Sequence, residues 1–143
     1  MKKIGFLFLF VCLLSPAIAQ QISLFDKNGE AICYIDYDEK ATIYMWDGTP
    51  VAFIQKDRND DCIFGFNGQF LGWYEDGKVY DKQGYIVGAT KEKLNRIASM
   101  ERIKSMKRIA PIRPITSMAP IRPMLRFSWS DTLLSAFILS GKK

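Results

Sequence analysis

Residues 22–90 contain four segments that align on a glycine: 24–34 (LFDKNGEAICY), 44–53 (YMWDGTPVAF), 64–73 (FGFNGQFLGW) and 79–89 (VYDKQGYIVGA). The anchor glycines are Gly29, Gly48, Gly68 and Gly84, at intervals of 19, 20 and 16 residues. A repeat of this period indicates one supersecondary unit used four times, and it governs the interpretation of the rest of the chain.

Each anchor glycine is followed by the same order of side-chain sizes. The third residue after it is aliphatic (Ile32, Val51, Leu71, Val87), and the fourth is small (Cys33, Ala52, Gly72, Gly88). Asp47-Gly48 and Asn67-Gly68 are typical of tight primed hairpin turns, because those turns need positive φ. Segments 26–29 and 81–84 predict a longer turn with glycine in the left-handed region.

Two short strands around each turn predict an all-β fold, an antiparallel meander of four hairpins. The strand period of two places the third and fifth residues after each glycine on one face and the fourth on the other. The larger set is expected in a core. The small set is expected where the four units converge on an axis, because a large side chain would clash there.

The strings FDKNG, WDGTPVA, GFNGQFLGW and YDKQGYIVG, in this order, resemble the four-fold β-flower proteins of bacterial origin. The resemblance covers residues 22–90, about half of the chain. It implies four hairpins arranged about a pseudo-four-fold axis. A proline-rich basic tail is also familiar from that family. The resemblance implies no activity and supplies no catalytic or binding residues.

Residues 1–19 have the order of a secretory signal peptide. Lys2 and Lys3 precede an apolar run over 4–14, and 17–19 (AIA) fits a cleavage site. The run is too short to span a bilayer. We therefore expect an exported protein, periplasmic, envelope-associated or secreted, whose mature chain begins at Gln20. An uncleaved membrane anchor is the alternative.

Residues 91–127 form a basic tail with an apolar residue at every third position from Leu94 to Phe127. Its segment 91–126 holds ten Lys/Arg against two Glu, so residues 20–90 must be acidic. Four prolines from 111 onward exclude a continuous helix, and a period of three matches an extended polyproline II strip. A short helix over 91–108 and a disordered linker remain alternatives. Segment 128–143 fits a short amphipathic helix.

Catalytic and metal-binding signatures are missing from the sequence. The chain has no histidine, which removes Ser-His-Asp and Cys-His sites and the common zinc sites. Residues 57–61 (DRNDD) begin like a calcium loop, but Cys62 stands where glycine is needed. We therefore expect no metal, no cofactor and no enzymatic activity. Cys33 and Cys62 either form a disulfide or remain buried thiols.

The sequence is compatible with three functions. The first is a non-catalytic binding or structural module of the envelope, whose tail contacts its own domain, a second copy or an envelope protein. The second is attachment to an anionic membrane surface through the basic tail. The third is a carboxylate-based hydrolase. Nucleic acid is not expected as a partner of an exported chain. Packing at repeated core positions is the expected role of Trp46, Phe66 and Trp73, and an aromatic ligand surface is the alternative.

The signal peptide gives a direct test. We expect the chain recovered from an expressing bacterium to begin at Gln20, because the small residues at 17 and 19 fit the signal peptidase site. Intact-mass and N-terminal peptide measurements check this. A chain that retains Lys2 and Lys3 and fractionates with membranes would instead establish the anchor alternative.

Overall fold

The structure is a computed structural model that describes residues 20–143, so the signal peptide predicted for 1–19 lies outside the described residues. Eight antiparallel strands pair with their neighbours in sequence, and the last pairs with the first to close a barrel. The strands are β1 (Gln21–Phe25), β2 (Ala31–Asp36), β3 (Thr42–Met45), β4 (Pro50–Asp57), β5 (Asp60–Gly65), β6 (Phe70–Glu75), β7 (Lys78–Tyr80) and β8 (Ile86–Ala89). The all-β architecture of four hairpins is thereby confirmed.

The four anchor glycines close equivalent turns at one end of the barrel. Each donates its N–H to the carbonyl three residues earlier, at 2.9–3.0 Å, and each has φ between 81° and 90°. Asp47 and Asn67 do not have positive φ. The prediction of tight primed turns there is therefore wrong, and all four connections combine an ordinary turn with a left-handed glycine. Consecutive positive φ values occur instead at the three connections of the opposite end, at Lys40-Ala41, Arg58-Asn59 and Asp76-Gly77.

One bulge in each hairpin explains the conserved order of side-chain sizes within the repeat. In the second hairpin, Ile43 lies opposite Ala52 but Tyr44 lies opposite Pro50, so Val51 is the extra residue. The same shift occurs in the other three hairpins, at Ile32, Leu71 and Val87. Val51 and Ala52 consequently share the interior cluster, whereas Phe53 packs outside. The expected alternation of faces is wrong here, because a bulge interrupts the period of two.

The barrel interior is filled by apolar side chains, including those of one face of the C-terminal helix. Helix α1 (Leu134–Leu139) buries Leu134, Phe137 and Ile138 against residues from all four hairpins. The small repeat positions provide room for the helix and for the neighbouring strand. A Cβ at Gly88 would lie 3.0 Å from Leu134, and one at Gly72 would clash first with the Tyr80 carbonyl oxygen and would lie 3.0 Å from the Phe137 ring.

The two cysteines are free thiols in separate clusters, Cys33 inside the barrel and Cys62 on its outer wall. Burial raises the pKa of Cys33 to about 12 and that of Cys62 to about 11. Both are protonated at neutral pH, and a protonated, buried thiol is a poor nucleophile. The cysteines act as apolar side chains rather than as a cross-link. Within residues 20–143, none of the helices is both long and apolar enough to cross a membrane.

Helix α1 gives a stability prediction. Ile138→Ala should lower the free energy of unfolding by about 2–4 kcal/mol, because removing a fully buried side chain leaves a cavity. Leu139→Ala is the matched control: Leu139 is the next residue on the helix but is 42 % exposed, and its loss should cost well under 1 kcal/mol. Urea unfolding monitored by circular dichroism measures both. Equal effects would contradict the burial of one helix face in the barrel.

Candidate functional site

The tail winds around the barrel and contacts the four hairpin turns in sequence order. The backbone N–H groups of Ser99, Arg108, Ser117 and Arg126 donate to the carbonyls of Gly29, Gly48, Gly68 and Gly84, at 2.8–2.9 Å. Successive donors are nine residues apart, so one nine-residue unit of tail serves one hairpin. The recurrence of 110–114 (APIRP) at 119–123 is part of this longer repeat.

Close backbone contact sets this register. A Cβ at Gly29 would lie 2.9 Å from the Ile97 carbonyl oxygen, and one at Gly84 would lie 2.8 Å from that of Met124. A Cβ at Gly68 would lie 3.2 Å from the Ile115 carbonyl oxygen, and one at Gly48 would clash with the Met106 carbonyl oxygen. Any other residue at these turns would push the tail away as well as strain the turn.

Within each nine-residue unit the tail presents three edges. A single 3-10 turn covers Lys91–Lys93, and the structure has no helix from 94 to 127. The helix alternative for 91–108 is therefore wrong. One edge, including Lys104, Ala110, Arg113 and Ala119, faces the barrel and is buried or half-buried. A second carries prolines, serines and arginines. The third carries the apolar residues.

The inward edge packs cations and alanines on aromatic rings of the barrel wall. Lys104 Nζ lies 4.7 Å from the Tyr34 ring centre and 5.0 Å from that of Trp46. Nine residues later, the Arg113 guanidinium lies 4.5 Å from the Phe53 ring. Ala119 packs into the neighbouring cluster of phenylalanines. These contacts bury aromatic surface under cationic side chains whose stems cover it.

The aromatic side chains considered as a ligand surface lie beneath this tail. Trp46 is 9 % exposed and donates its Nε1 hydrogen to the Arg102 carbonyl, at 3.0 Å. Phe66 and Trp73 are each 1 % exposed, within the cluster that Ala119 covers. The structure therefore places Trp46, Phe66 and Trp73 in packing against the chain itself, and they do not face solvent.

Ion pairs join the tail to the acidic barrel, whose residues 20–90 carry six Lys/Arg against twelve Asp/Glu. Lys107 Nζ lies 2.7 Å from Asp36 Oδ2, and the Asp36 side chain is only 1 % exposed. Arg122 Nη1 lies 2.8 Å from Glu75 Oε1 and 3.5 Å from Asp60 Oδ1. The opposite charges of the tail and the barrel are therefore directly paired.

The Asp36–Lys107 pair changes both pKa values. Burial alone would raise the pKa of Asp36, but hydrogen bonds from Lys107 and Gln21 and the lysine charge lower it below its ordinary value. The hydrogen bond to Asp36 raises the pKa of Lys107. The depressed carboxyl pKa stabilises the fold above pH 3.8 and loses that contribution as the pH falls. The raised lysine pKa stabilises it below pH 10.5 and loses that contribution as the pH rises.

The acidic loop 57–61 also serves tail attachment. Asp57 Oδ2 accepts the Ala119 N–H at 3.3 Å, Asp60 pairs with Arg122, and Asp61 pairs with Lys56 at 3.4 Å. Nowhere in residues 20–143 do three potential metal-binding side chains cluster. The carboxylates considered for calcium binding or for hydrolysis thus have partners within the chain.

The outward edge is apolar and uncovered. It consists of eleven side chains between 77 % and 99 % exposed: Ile97, Met100, Ile103, Met106, Ile109, Ile112, Ile115, Met118, Ile121, Met124 and Phe127. We call these residues the apolar edge. The period of three was readable from the sequence. The sequence did not show that the apolar residues face solvent while Lys104, Lys107 and Arg113 face the barrel.

The domain is a β-repeat barrel of four bulged hairpins. Its own C-terminal tail encircles the barrel and makes one equivalent set of contacts with each hairpin. The family model described as 4-fold beta flower protein matches residues 22–138, and the chain belongs to this family. The match includes the tail and most of helix α1, so both lie within the region that the family model covers. No curated protein and no solved structure matches the chain.

Tail attachment should depend on the buried carboxylate. Asp36→Asn should lower the free energy of unfolding by about 2 kcal/mol at pH 7, because it replaces a charged hydrogen bond. The difference from the parent should shrink as the pH falls below 3.8, because Asp36 is then protonated first in the unfolded chain and, at still lower pH, in the folded protein. Urea unfolding at pH 7, 5 and 2.5 measures this.

Asp61→Asn is the control for this pH series. It removes an ion pair whose side chains are 74 % and 42 % exposed, and should change stability by less than about 1 kcal/mol. A parent and an Asp36→Asn variant with parallel pH profiles would show that the Asp36–Lys107 pair does not hold the tail.

Proposed function

We propose that this protein is a non-catalytic, exported binding module of the bacterial envelope, which engages its partner through the apolar edge of the tail. The supporting observation is the exposure of eleven large apolar side chains on one continuous segment. Scattered exposed apolar residues are ordinary on protein surfaces, but a large contiguous set marks an interaction site. Here the set is continuous from Ile97 to Phe127.

The way the tail is held favours a role for this edge beyond folding. Covering the barrel requires only the inward edge, since Lys104, Arg113 and Ala119 make the contacts with the wall. Serine or threonine on the outward edge would leave these contacts unchanged. Isoleucine, methionine and phenylalanine nevertheless occupy it without interruption, and they are the residues that gain most from leaving water.

The arrangement of ionisable groups favours binding over catalysis. Asp36, Asp57, Asp60 and Glu75 are engaged by the tail, through Lys107, Ala119 and Arg122. A hydrolase needs one carboxyl group that is free to exchange a proton with substrate. Asp60 and Glu75 are bridged by Arg122, and Asp36 and Glu39 by Lys107.

Envelope retention tests the proposal. Two quadruple variants change the same isoleucines, Ile103, Ile109, Ile115 and Ile121, each at least 87 % exposed. One carries serine at all four positions and the other carries leucine. In an expressing bacterium, we expect the parent and the leucine variant to sediment with the envelope, and the serine variant to remain in the soluble fraction.

Circular dichroism and urea unfolding of the purified variants provide the folding check. The four side chains make little contact with the barrel, so the unfolding midpoints should agree with that of the parent. A folded serine variant that sediments with the envelope as fully as the parent would refute a binding role for the apolar edge.

A further inference from the structure

The partner's chemistry can be argued from the charges beside the apolar edge. Arg96, Arg102, Arg108 and Arg126 lie on the adjacent edge of the tail and are exposed. None of them takes part in an ion pair between residues of the described chain, 20–143. The cations that neutralise the barrel, Lys107 and Arg122, are different residues. The Arg126 guanidinium lies 4.7 Å from the Tyr85 ring centre and so packs on the barrel, whereas Arg96, Arg102 and Arg108 remain available for an external anion.

Acidic residues are nearly absent from this surface. Glu101 is the one carboxylate in the sequence from 94 to 127, against eight Lys/Arg. The surface seen by a partner is therefore a line of apolar side chains flanked by arginines. The partner must offer an apolar phase and, beside it, a layer of negative charge.

A second copy of the chain does not meet this requirement. In a two-fold symmetric contact the same patch meets itself, so the arginines of both copies would flank one apolar seam, with Glu101 as the one tail carboxylate of each copy to neutralise them. Like charges at such short distance disfavour association. The edge is also one residue wide, with an apolar side chain only at every third position, whereas a protein interface needs a broad patch with a desolvated centre.

We propose that the apolar edge inserts into the surface of an anionic lipid bilayer. The isoleucine, methionine and phenylalanine side chains enter the boundary between headgroups and acyl chains, and the neighbouring arginines bind lipid phosphates. This inference rests on the proposed binding function and names the partner for it. The charge complement is the observation that separates a lipid surface from a protein partner.

Vesicle binding by the purified protein tests the inference. Sucrose-loaded vesicles of phosphatidylglycerol and phosphatidylethanolamine (1:3) should sediment the parent protein at low salt, and vesicles of phosphatidylcholine alone should sediment much less. The serine quadruple variant should bind the anionic vesicles about tenfold more weakly or worse, and the leucine variant should bind them like the parent. Arg102→Gln/Arg108→Gln should weaken binding to anionic vesicles and flatten its salt dependence.

Insertion is measured separately with a dye that reports polarity. Cysteine is introduced singly at Ile103, Ile112 or Ile121, equivalent positions nine residues apart, and labelled in the native protein, where Cys33 and Cys62 are fully buried. Anionic vesicles should shift the dye emission to the blue at one or more of these positions. Lys56→Cys, at a barrel residue whose side chain is 74 % exposed and which is not part of the apolar edge, is the control and should show no shift.

Three results would overturn the lipid inference. The first is no sedimentation with anionic vesicles at low salt. The second is equal binding by the serine variant and the parent. The third is a dimer of the parent, seen by light scattering without lipid, that the serine substitutions dissociate. If the edge also proves necessary for envelope retention, any of these results leaves the binding function standing and assigns the edge to a protein partner.

Discussion

At each of the four hairpin turns, a glycine α-carbon lies directly against the backbone of the tail. The same missing Cβ permits the positive φ of the turn and the approach of a tail carbonyl to about van der Waals distance. Two backbone groups of the tail meet each turn, one by close contact and one by a hydrogen bond to the glycine carbonyl. The register of the whole tail follows from these four contacts.

That register determines what the rest of the molecule shows to solvent. It places Lys104 and Arg113 over aromatic rings and Ala119 over the phenylalanine cluster, so an aromatic barrel wall becomes buried. It also turns the isoleucines and methionines outward. The usual distribution of side chains is inverted in the tail, because the barrel it covers is acidic and already has its own aliphatic core.

The sequence predicted the structure correctly at positions where local backbone geometry or lack of space permits only one type of residue. The turn glycines and the small positions, such as Gly72 and Gly88, were recognisable because a larger residue has no room there. The face of Val51 was not recognisable, since a bulge depends on the partner strand and leaves no local mark. The burial of Trp46 and Trp73 was expected from their repeated positions, but the residues that cover them were not, because these are cations and alanines remote in the chain.

The tail shows the same limit at longer range. Its period of three was plain, and it predicted an extended strip with one apolar edge. The longer period of nine is explained only by the closed barrel, in which nine residues of tail reach from one hairpin turn to the next, 16 to 20 residues further along the repeat. A match between two unequal repeats is a property of the folded circle, and neither repeat specifies it alone.

The position of helix α1 has a consequence for the order in which the domain is made. The helix packs Leu134, Phe137 and Ile138 into the barrel interior, yet it follows all eight strands and the tail in the sequence. A nascent chain that still lacks these residues has all eight strands but an incomplete interior. The first hairpin therefore acquires its final packing only after helix α1 has been made, although its second strand ends at Asp36 and the helix begins only at Leu134.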